Sequence, residues 1–193
     1  MVTGTFALER NIGGGLLFNA SSTSGTMKNL FVPELGYFNV DWSMGRTGFG
    51  AFAFFGLNRF IEFNLGFLYK NPGDFKVTVG GATMNSDASD EGIKSTAALH
   101  FGVYGKYPFI LSPIIVLFPT IGSDFELTLS GDNSWWHDLW FRGGIGLDFF
   151  FTETMFLRSH LIYGVGIPIG GDANLGTNFS HGLLVKLGLG WMF

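Results

Sequence analysis

The stretch SHGLLVKLGLGWMF, from Ser180 to Phe193, decides the fold, because two kinds of side chain alternate along it. Successive side chains of a β-strand point to opposite faces, so the odd and even positions form two surfaces. One surface is wholly apolar and ends in aromatic residues: Leu183, Val185, Leu187, Leu189, Trp191 and Phe193. The other surrounds one cation with small and apolar residues: Gly182, Leu184, Lys186, Gly188, Gly190 and Met192. The stretch therefore predicts a strand about as long as a bilayer-spanning strand of roughly 9–11 residues.

This pattern, placed at the chain terminus, resembles the closing strand of bacterial outer-membrane β-barrels. The terminal assembly signal of that family is a polar residue, a Gly two positions later, and aromatic or apolar residues three and five positions after the Gly. Lys186, Gly188, Trp191 and Phe193 occupy those positions. The resemblance implies a location in the bacterial outer membrane and three partners: its lipids, lipopolysaccharide and the barrel-assembly machinery. The alternative is a Gly-rich edge strand of a soluble β-sandwich.

The composition also favours a membrane protein. Charged residues make up 13% of the 193 residues, against an average of about 25%, and the chain contains 23 Phe and 30 Gly. The best candidate for a spanning helix, residues 107–123, is broken by Pro108, Pro113 and Pro119. Only helices and closed barrels satisfy every backbone polar group in lipid. We therefore predict an all-β fold, a closed antiparallel transmembrane up-and-down β-barrel, as one domain over residues 1–193.

The strand pattern recurs along the chain and predicts eight strands. They are expected at 12–19 (entered from Phe6), 47–56, 60–70, 94–107, 114–129, 139–150, 154–166 and 180–193. Short connections near 57–59, 110–112 and 151–153 alternate with long polar ones near 19–30, 71–93, 130–137 and 167–178, which is the plan of short periplasmic turns and long outer loops. Residues 38–44 alternate as well. They form either the upper half of a long second strand or an extra hairpin, which would give ten strands.

The two faces of each strand predict which side meets lipid. In a soluble lipocalin-like barrel the apolar face points inward. Here the apolar face is too bulky for a narrow interior, whereas the Gly-rich face with sparse charges fits it. The interior is then expected to hold mixed charges that must pair: Glu62, Asp124, Glu126, Asp148, Lys70, Lys94, Lys106, Arg142, Arg158, Lys186, His100 and His160. We predict a plugged lumen with little or no continuous channel.

No motif predicts a catalytic, cofactor or metal site. Ser159 and His160 point to opposite faces, as do Ser180 and His181, so neither pair can act as nucleophile and base. The four histidines lack ligand spacing, the acidic loop with Asp87, Asp90 and Glu91 lacks the calcium-loop pattern, and cysteine is absent. Trp135, Trp136 and Trp140 flank a long loop and match an outer aromatic girdle.

The remaining features limit partners and processing. A net charge of −4 without a basic cluster argues against nucleic acid as a partner. The sequence begins without a secretory signal peptide, and Met1 is expected to start a chain whose leader has been removed.

The resemblance extends to the eight-stranded class that includes OmpA-type transmembrane domains, OmpX-like and OmpW-like proteins. It implies a non-enzymatic barrel whose surface loops interact with an extracellular partner or serve a structural role in the envelope. The first alternative is an OmpW-like conduit for small hydrophobic molecules, which would need an apolar pocket. Val116, Phe118, Leu184 and Met192 on the inward face favour it. The second alternative is a lipid A-modifying enzyme.

Overall fold

The computed structural model describes residues 12–32, 36–90, 92–130, 137–169 and 177–193. Ten strands follow one another along these residues, and all their pairings are antiparallel: β1 (Ile12–Val32), β2 (Gly36–Gly56), β3 (Ile61–Val79), β4 (Ala82–Asp87), β5 (Thr96–Lys106), β6 (Phe109–Ser112), β7 (Ile115–Thr128), β8 (His137–Phe150), β9 (Met155–Ile169) and β10 (Thr177–Met192). The described part of the chain contains no helix with the length and hydropathy of a transmembrane span.

Eight of these strands close into a ring. Going round the barrel, the order is β1, β2, β3, β5, β7, β8, β9 and β10, and β10 pairs with β1. The short strands β4 and β6 extend β3 and β7 as hairpins and are not members of the ring. The predicted eight-stranded barrel is confirmed. The ten-strand alternative is wrong, because β1 and β2 form one long pair from Ile12 opposite Phe55 to Val32 opposite Gly36.

The connections agree with the sequence at one end of the barrel and differ at the other. Tight turns join β2 to β3 at residues 57–60 and β8 to β9 at 151–154, which confirms two predicted short turns. The third, at 110–112, is instead the small strand β6. The predicted long loops at 19–30 and 71–93 are wrong over most of their length, because β1, β3 and β4 run through them. Other predicted features lie outside the described residues: the entry from Phe6, most of the two later loops, Glu91, Trp135 and Trp136.

The alternation of β3 shows how the barrel divides its two surfaces. Ile61, Phe63, Leu65 and Phe67 are 37–48% exposed on the outer wall, whereas Glu62 between them is 2% exposed. An outer wall of exposed aromatic and aliphatic side chains is what a bilayer covers in a barrel of this type.

In the part of β2 that precedes Arg46, the polar side chains lie on the outer face and the apolar ones on the inner face, the opposite of the arrangement on the first part of β3. On β2, Val40 is 5% exposed and Asp41 is exposed, so the apolar side chains now point inward. The β2–β3 register shifts at the same level, with Met44 opposite Phe75 but Arg46 opposite Pro72. One extra residue in β3 makes this a β-bulge, which moves the following side chains to the other face. The barrel therefore continues past its apolar belt as a wall that is polar outside and apolar inside.

An apolar cluster inside the barrel lies at the end formed by the tight turns, called here the short-turn end. It consists of six buried side chains: Phe54, Val116, Phe118, Phe150, Phe156 and Met192. The phenyl ring of Phe156, with an exposed fraction of 0%, meets the ring of Phe54 edge-on at 5.9 Å and lies 6.1 Å from that of Phe150. Large side chains thus fill the interior here, as expected for a barrel only wide enough for its own side chains.

Candidate functional site

Arg158 on β9 is the centre of an ion-pair group above this apolar cluster. Its guanidinium donates to Asp148 on β8 through Nε at 2.7 Å and Nη2 at 2.9 Å, and to Oε1 of Glu62 on β3 at 3.0 Å. The Nζ of Lys106 on β5 donates to the second oxygen of Glu62. The guanidinium also lies 4.4 Å from the centre of the Phe54 ring. Two cations and two carboxylates from four strands therefore form a neutral, buried crosslink.

A second ion-pair group lies nearer the opposite end of the barrel, called here the long-loop end. The Nη1 of Arg142 on β8 donates to Asp124 on β7 at 2.6 Å, and the Nζ of Lys70 on β3 donates to Glu126 on β7. His100 on β5 places its Nε2 3.2 Å from the other oxygen of Glu126. All five side chains are buried. This group again balances two cations with two carboxylates, here along the four neighbouring strands β3, β5, β7 and β8.

Lys186 and His160 occupy the space between the two groups. They are register partners on β10 and β9, and both line a cavity of about 50 Å3 together with His100. The ring of His160 contacts that of Phe118 edge-on at 5.3 Å, and its Nε2 has no hydrogen-bond partner in the described chain. A cavity of this size holds one or two water molecules of about 30 Å3 each, which could satisfy these polar atoms.

The structure thus brings eleven of the twelve residues predicted for the lumen into its interior. The exception is Lys94, which is exposed in the segment before β5. Trp140 also differs from prediction: it is 6% exposed, and the Arg142 guanidinium lies 4.7 Å from its ring centre. It therefore lines the interior instead of an outer aromatic girdle.

A cavity of about 290 Å3 opens above the second ion-pair group, and we call it the vestibule. Its floor is polar and includes Arg46, Lys70, His100, Glu126, Asp138 and Arg142. Its walls carry apolar and aromatic side chains, Met27, Trp42, Met44, Phe75, Trp140, Pro168 and Leu184, together with small polar ones, Asn19, Ser21, Thr23, Thr96, Thr128 and Ser180. Concave sites with mostly apolar walls and a few convergent polar groups are the usual form of small-molecule sites.

Sequence reasoning missed most of this vestibule. Arg46 lay in a gap between predicted segments, Phe75 lay in a predicted loop, and Asp138 lay one residue outside a predicted strand. A signal for the inward wall was present in the alternation of Val40, Trp42 and Met44 with polar neighbours. The bulge that turns Phe75 inward could not be read from the sequence alone.

The serine and histidine pairs do not assemble a catalytic site. Ser159 lies on the outer wall and His160 in the lumen, as their alternation predicted. His181 is exposed, with its Nδ1 3.1 Å from the hydroxyl of Tyr163, while Ser180 is buried. Among the described residues, no group of three or more acidic or histidine side chains could hold a metal ion.

The residues of the predicted assembly signal end the ring at the short-turn end. Lys186 and Gly188 point into the lumen, whereas Trp191 and Phe193 are exposed on the outer wall. The amide of Phe193 donates to the carbonyl of Ile12 at 2.9 Å, so the terminal residue is held against β1. Their role in assembly stays a prediction.

The closed ring, the short turns and the apolar outer wall define the class of the protein: an eight-stranded barrel of the outer-membrane type. No protein-family model matches the chain. No curated protein matches it in sequence.

Solved structures do match the chain. The outer membrane protein OprG from Pseudomonas aeruginosa aligns over 95% of this chain and 97% of its own, with a TM-score of 0.51 and 13% identity. The outer membrane protein AlkL, solved in lipid bilayers, aligns over 96% of this chain and 91% of its own, with a TM-score of 0.55 and 13% identity. The outer membrane protease OmpT from Escherichia coli aligns at a TM-score of 0.43 and 10% identity. The first two similarities confirm the predicted fold, and they agree with the bacterial outer membrane as the predicted location.

Proposed function

We propose that this protein is a non-enzymatic outer-membrane barrel with a plugged lumen, which receives small apolar or amphipathic molecules in its vestibule. The observation that carries the proposal is the contrast along the barrel axis. An apolar-walled space of about 290 Å3 lies at the long-loop end, and cavities of only about 50 and 40 Å3 lie below it.

The plug is supported by the two ion-pair groups. Arg158 connects β9 to its neighbour β8 and to β3 on the opposite side of the ring, so this group crosses the lumen. Arg142 connects the neighbouring strands β8 and β7. Their charges are desolvated and compensated by one another, and removing a partner from such a pair is costly. Small ions should therefore find no continuous water-filled path through the resting barrel.

The vestibule supports the conduit alternative in part. Its apolar walls open towards the long-loop end and could take up a molecule from outside. The floor carries the Lys70–Glu126 and Arg142–Asp124 pairs, so passage further inward would require these pairs to separate. We propose that the resting barrel binds the molecule in the vestibule, and that movement of the molecule further into the lumen is a separate, slower step.

Two measurements on the purified protein test this proposal. In planar bilayers we expect no steady open-channel conductance. In nanodiscs we expect octan-1-ol to change the intrinsic fluorescence saturably through Trp42 and Trp140, which line the vestibule. The Trp140→Phe variant should lose part of that response, and the matched Trp191→Phe variant, altered on the lipid-facing wall, should keep it. A steady open channel, or fluorescence that responds without saturation, would contradict the proposal.

A surface interaction at the long-loop end is the second candidate. The observation that favours it is Met84 on β4, which is 71% exposed on a hairpin beyond the ring. An exposed apolar side chain on such a hairpin could contact an extracellular partner. Cells producing the Met84→Ser variant should then adhere to host-cell monolayers less than cells producing the parent protein, at equal surface levels. Equal adhesion would remove this candidate.

Lipid A modification has no support from the serine and histidine positions described above. We expect mass spectrometry of lipid A to give the same spectrum from cells with and without the protein. A new lipid A species that appears with the protein would contradict the non-enzymatic assignment.

A further inference from the structure

Arg46 is a cation of the vestibule that makes no ion pair among the described residues, and the carboxylate of Asp138 lines the same cavity. It projects from β2 into the cavity, where Ser21 and Pro72 are its register neighbours. Within the described residues, it makes no ion pair or hydrogen bond, whereas the neighbouring cations Lys70 and Arg142 are held by Glu126 and Asp124. A guanidinium that faces an apolar-walled cavity is a ready partner for an anionic ligand group.

The charges of the described lumen point to a ligand with one negative charge. Arg59 also lines the cavity of about 40 Å3 but is exposed in a tight turn, so it is not counted. The remaining cations number six: Arg46, Lys70, Lys106, Arg142, Arg158 and Lys186. The carboxylates number five: Glu62, Asp124, Glu126, Asp138 and Asp148. With neutral histidines, this leaves one positive charge without compensation. Lys186 also lacks an ion pair in the described chain, but its cavity of about 50 Å3 is too small for an organic ligand. Arg46 is therefore the cation that such a ligand can reach.

The side chains beside Arg46 indicate the chemistry of the uncharged part of the ligand. Met44 and Trp42 follow it along the inner face of β2, and Phe75 on β3 is the register partner of Met44. On β1, Thr23 lies opposite Met44, and Met27 lies further along, opposite Val40. Methionine and aromatic side chains adapt well to unbranched apolar chains. The space of about 290 Å3 equals that of about ten water molecules at roughly 30 Å3 each, and so suits a molecule of about ten non-hydrogen atoms.

We propose that the vestibule binds a small amphipathic monocarboxylate, with its carboxylate on the Arg46 guanidinium and its apolar chain along Met44 and Trp42. This inference rests on the proposed reception of small molecules in the vestibule and names their chemical class. Asp138, a floor carboxylate that makes no ion pair within the described residues, adds selectivity because its charge disfavours ligands with a second negative charge.

The test compares ligands that share an eight-carbon chain and differ in the head group. Binding of octanoate, octan-1-ol and 2-aminooctanoate to the protein in nanodiscs is measured by calorimetry at neutral pH, with empty nanodiscs subtracted. Octanoate should bind at least about tenfold more tightly than octan-1-ol, which corresponds to one charge-assisted hydrogen-bonded pair. The Arg46→Gln variant should remove that difference, and Arg46→Lys should retain part of it. The matched Arg59→Gln variant, altered in a tight turn at the opposite end, should bind like the parent protein.

The outcomes separate this inference from the function on which it rests. Equal binding of octanoate and octan-1-ol, or an Arg46→Gln variant that keeps the preference, would overturn the carboxylate site and leave reception of apolar molecules intact. Tighter binding of 2-aminooctanoate than of octanoate would overturn the proposal of a monoanionic ligand. It would indicate a zwitterionic ligand whose carboxylate contacts Arg46 and whose ammonium contacts Asp138. Saturable binding of none of the three would overturn both proposals. Heat-modifiable gel migration of each variant confirms that the barrel is folded.

Discussion

Replacing Arg158 by Met tests whether the buried ion-pair group around this residue stabilises the barrel. Arg158 is 5% exposed, and its partners Glu62 and Asp148 are 2% and 4% exposed. The substitution removes three hydrogen bonds and leaves Asp148 without a cation, while Glu62 keeps Lys106. Breaking a buried pair in this way typically costs about 3–5 kcal/mol, so we expect the free energy of unfolding to fall by that amount.

The assay is equilibrium unfolding in guanidinium chloride with the protein in lipid vesicles, followed by tryptophan fluorescence and gel migration. The double variant Arg158→Met with Asp148→Leu removes the stranded carboxylate and should recover most of the loss, because a buried pair is often replaceable by apolar residues. The matched Lys76→Met variant, exposed on β3 away from the lumen, should change the free energy of unfolding by less than about 0.5 kcal/mol. The reasoning is refuted if Arg158→Met unfolds within 1 kcal/mol of the parent protein, or if the double variant is less stable than the single one.

Three further outcomes follow from the packing of the lumen. The Phe156→Ala variant should lose about 3–5 kcal/mol of unfolding free energy because it opens a cavity in the apolar cluster, whereas Phe63→Ala on the lipid-facing wall should lose less. A Cβ on Gly190 would lie 2.8 Å from the Gly14 carbonyl oxygen, so Gly190→Ala should fold in lower yield than Gly143→Ala, whose Cβ would have 3.8 Å to its nearest neighbour. Planar-bilayer recordings of the Arg158→Ala variant should show conductance events that the parent protein lacks. If the variant also shows none, side chains other than Arg158 close the lumen.

The membrane-spanning part of the fold could be read from the sequence because a single rule applies throughout it. Where lipid surrounds the barrel, the outward side chains must be apolar, so strands such as β3 and β10 show a clear alternation over their lipid-facing length. The same alternation predicted that Glu62, Asp148 and Arg158 lie on the inner face of the sheet. Which of them meet depends on the stagger of the strands, which alternation does not contain.

The barrel wall between the apolar belt and the long-loop end could not be predicted in this way, because water instead of lipid surrounds its outer face. Ser22, Ser24 and Thr26 on the outer face of β1 meet water, so polar residues continue the strand where the sequence suggested a loop. The bulge in β3 then shifts the alternation by one residue and turns Phe75 inward. The vestibule could not be predicted from the sequence because it lies where the apolar side chains change from the outer face to the inner face.

The central claim is that lipid covers the apolar face of each strand and that the charged face is enclosed. Because the chain has no cysteine, single nitroxide labels can be placed at Leu65→Cys and Asn64→Cys, neighbours on opposite faces of β3. Electron paramagnetic resonance of the reconstituted protein then compares collisions with oxygen, which concentrates in lipid, and with a water-soluble nickel chelate. We predict that the label at residue 65 meets oxygen and is shielded from nickel, while the label at residue 64 is shielded from lipid oxygen. A lipid-exposed label at residue 64 together with a water-exposed label at residue 65 would contradict the account.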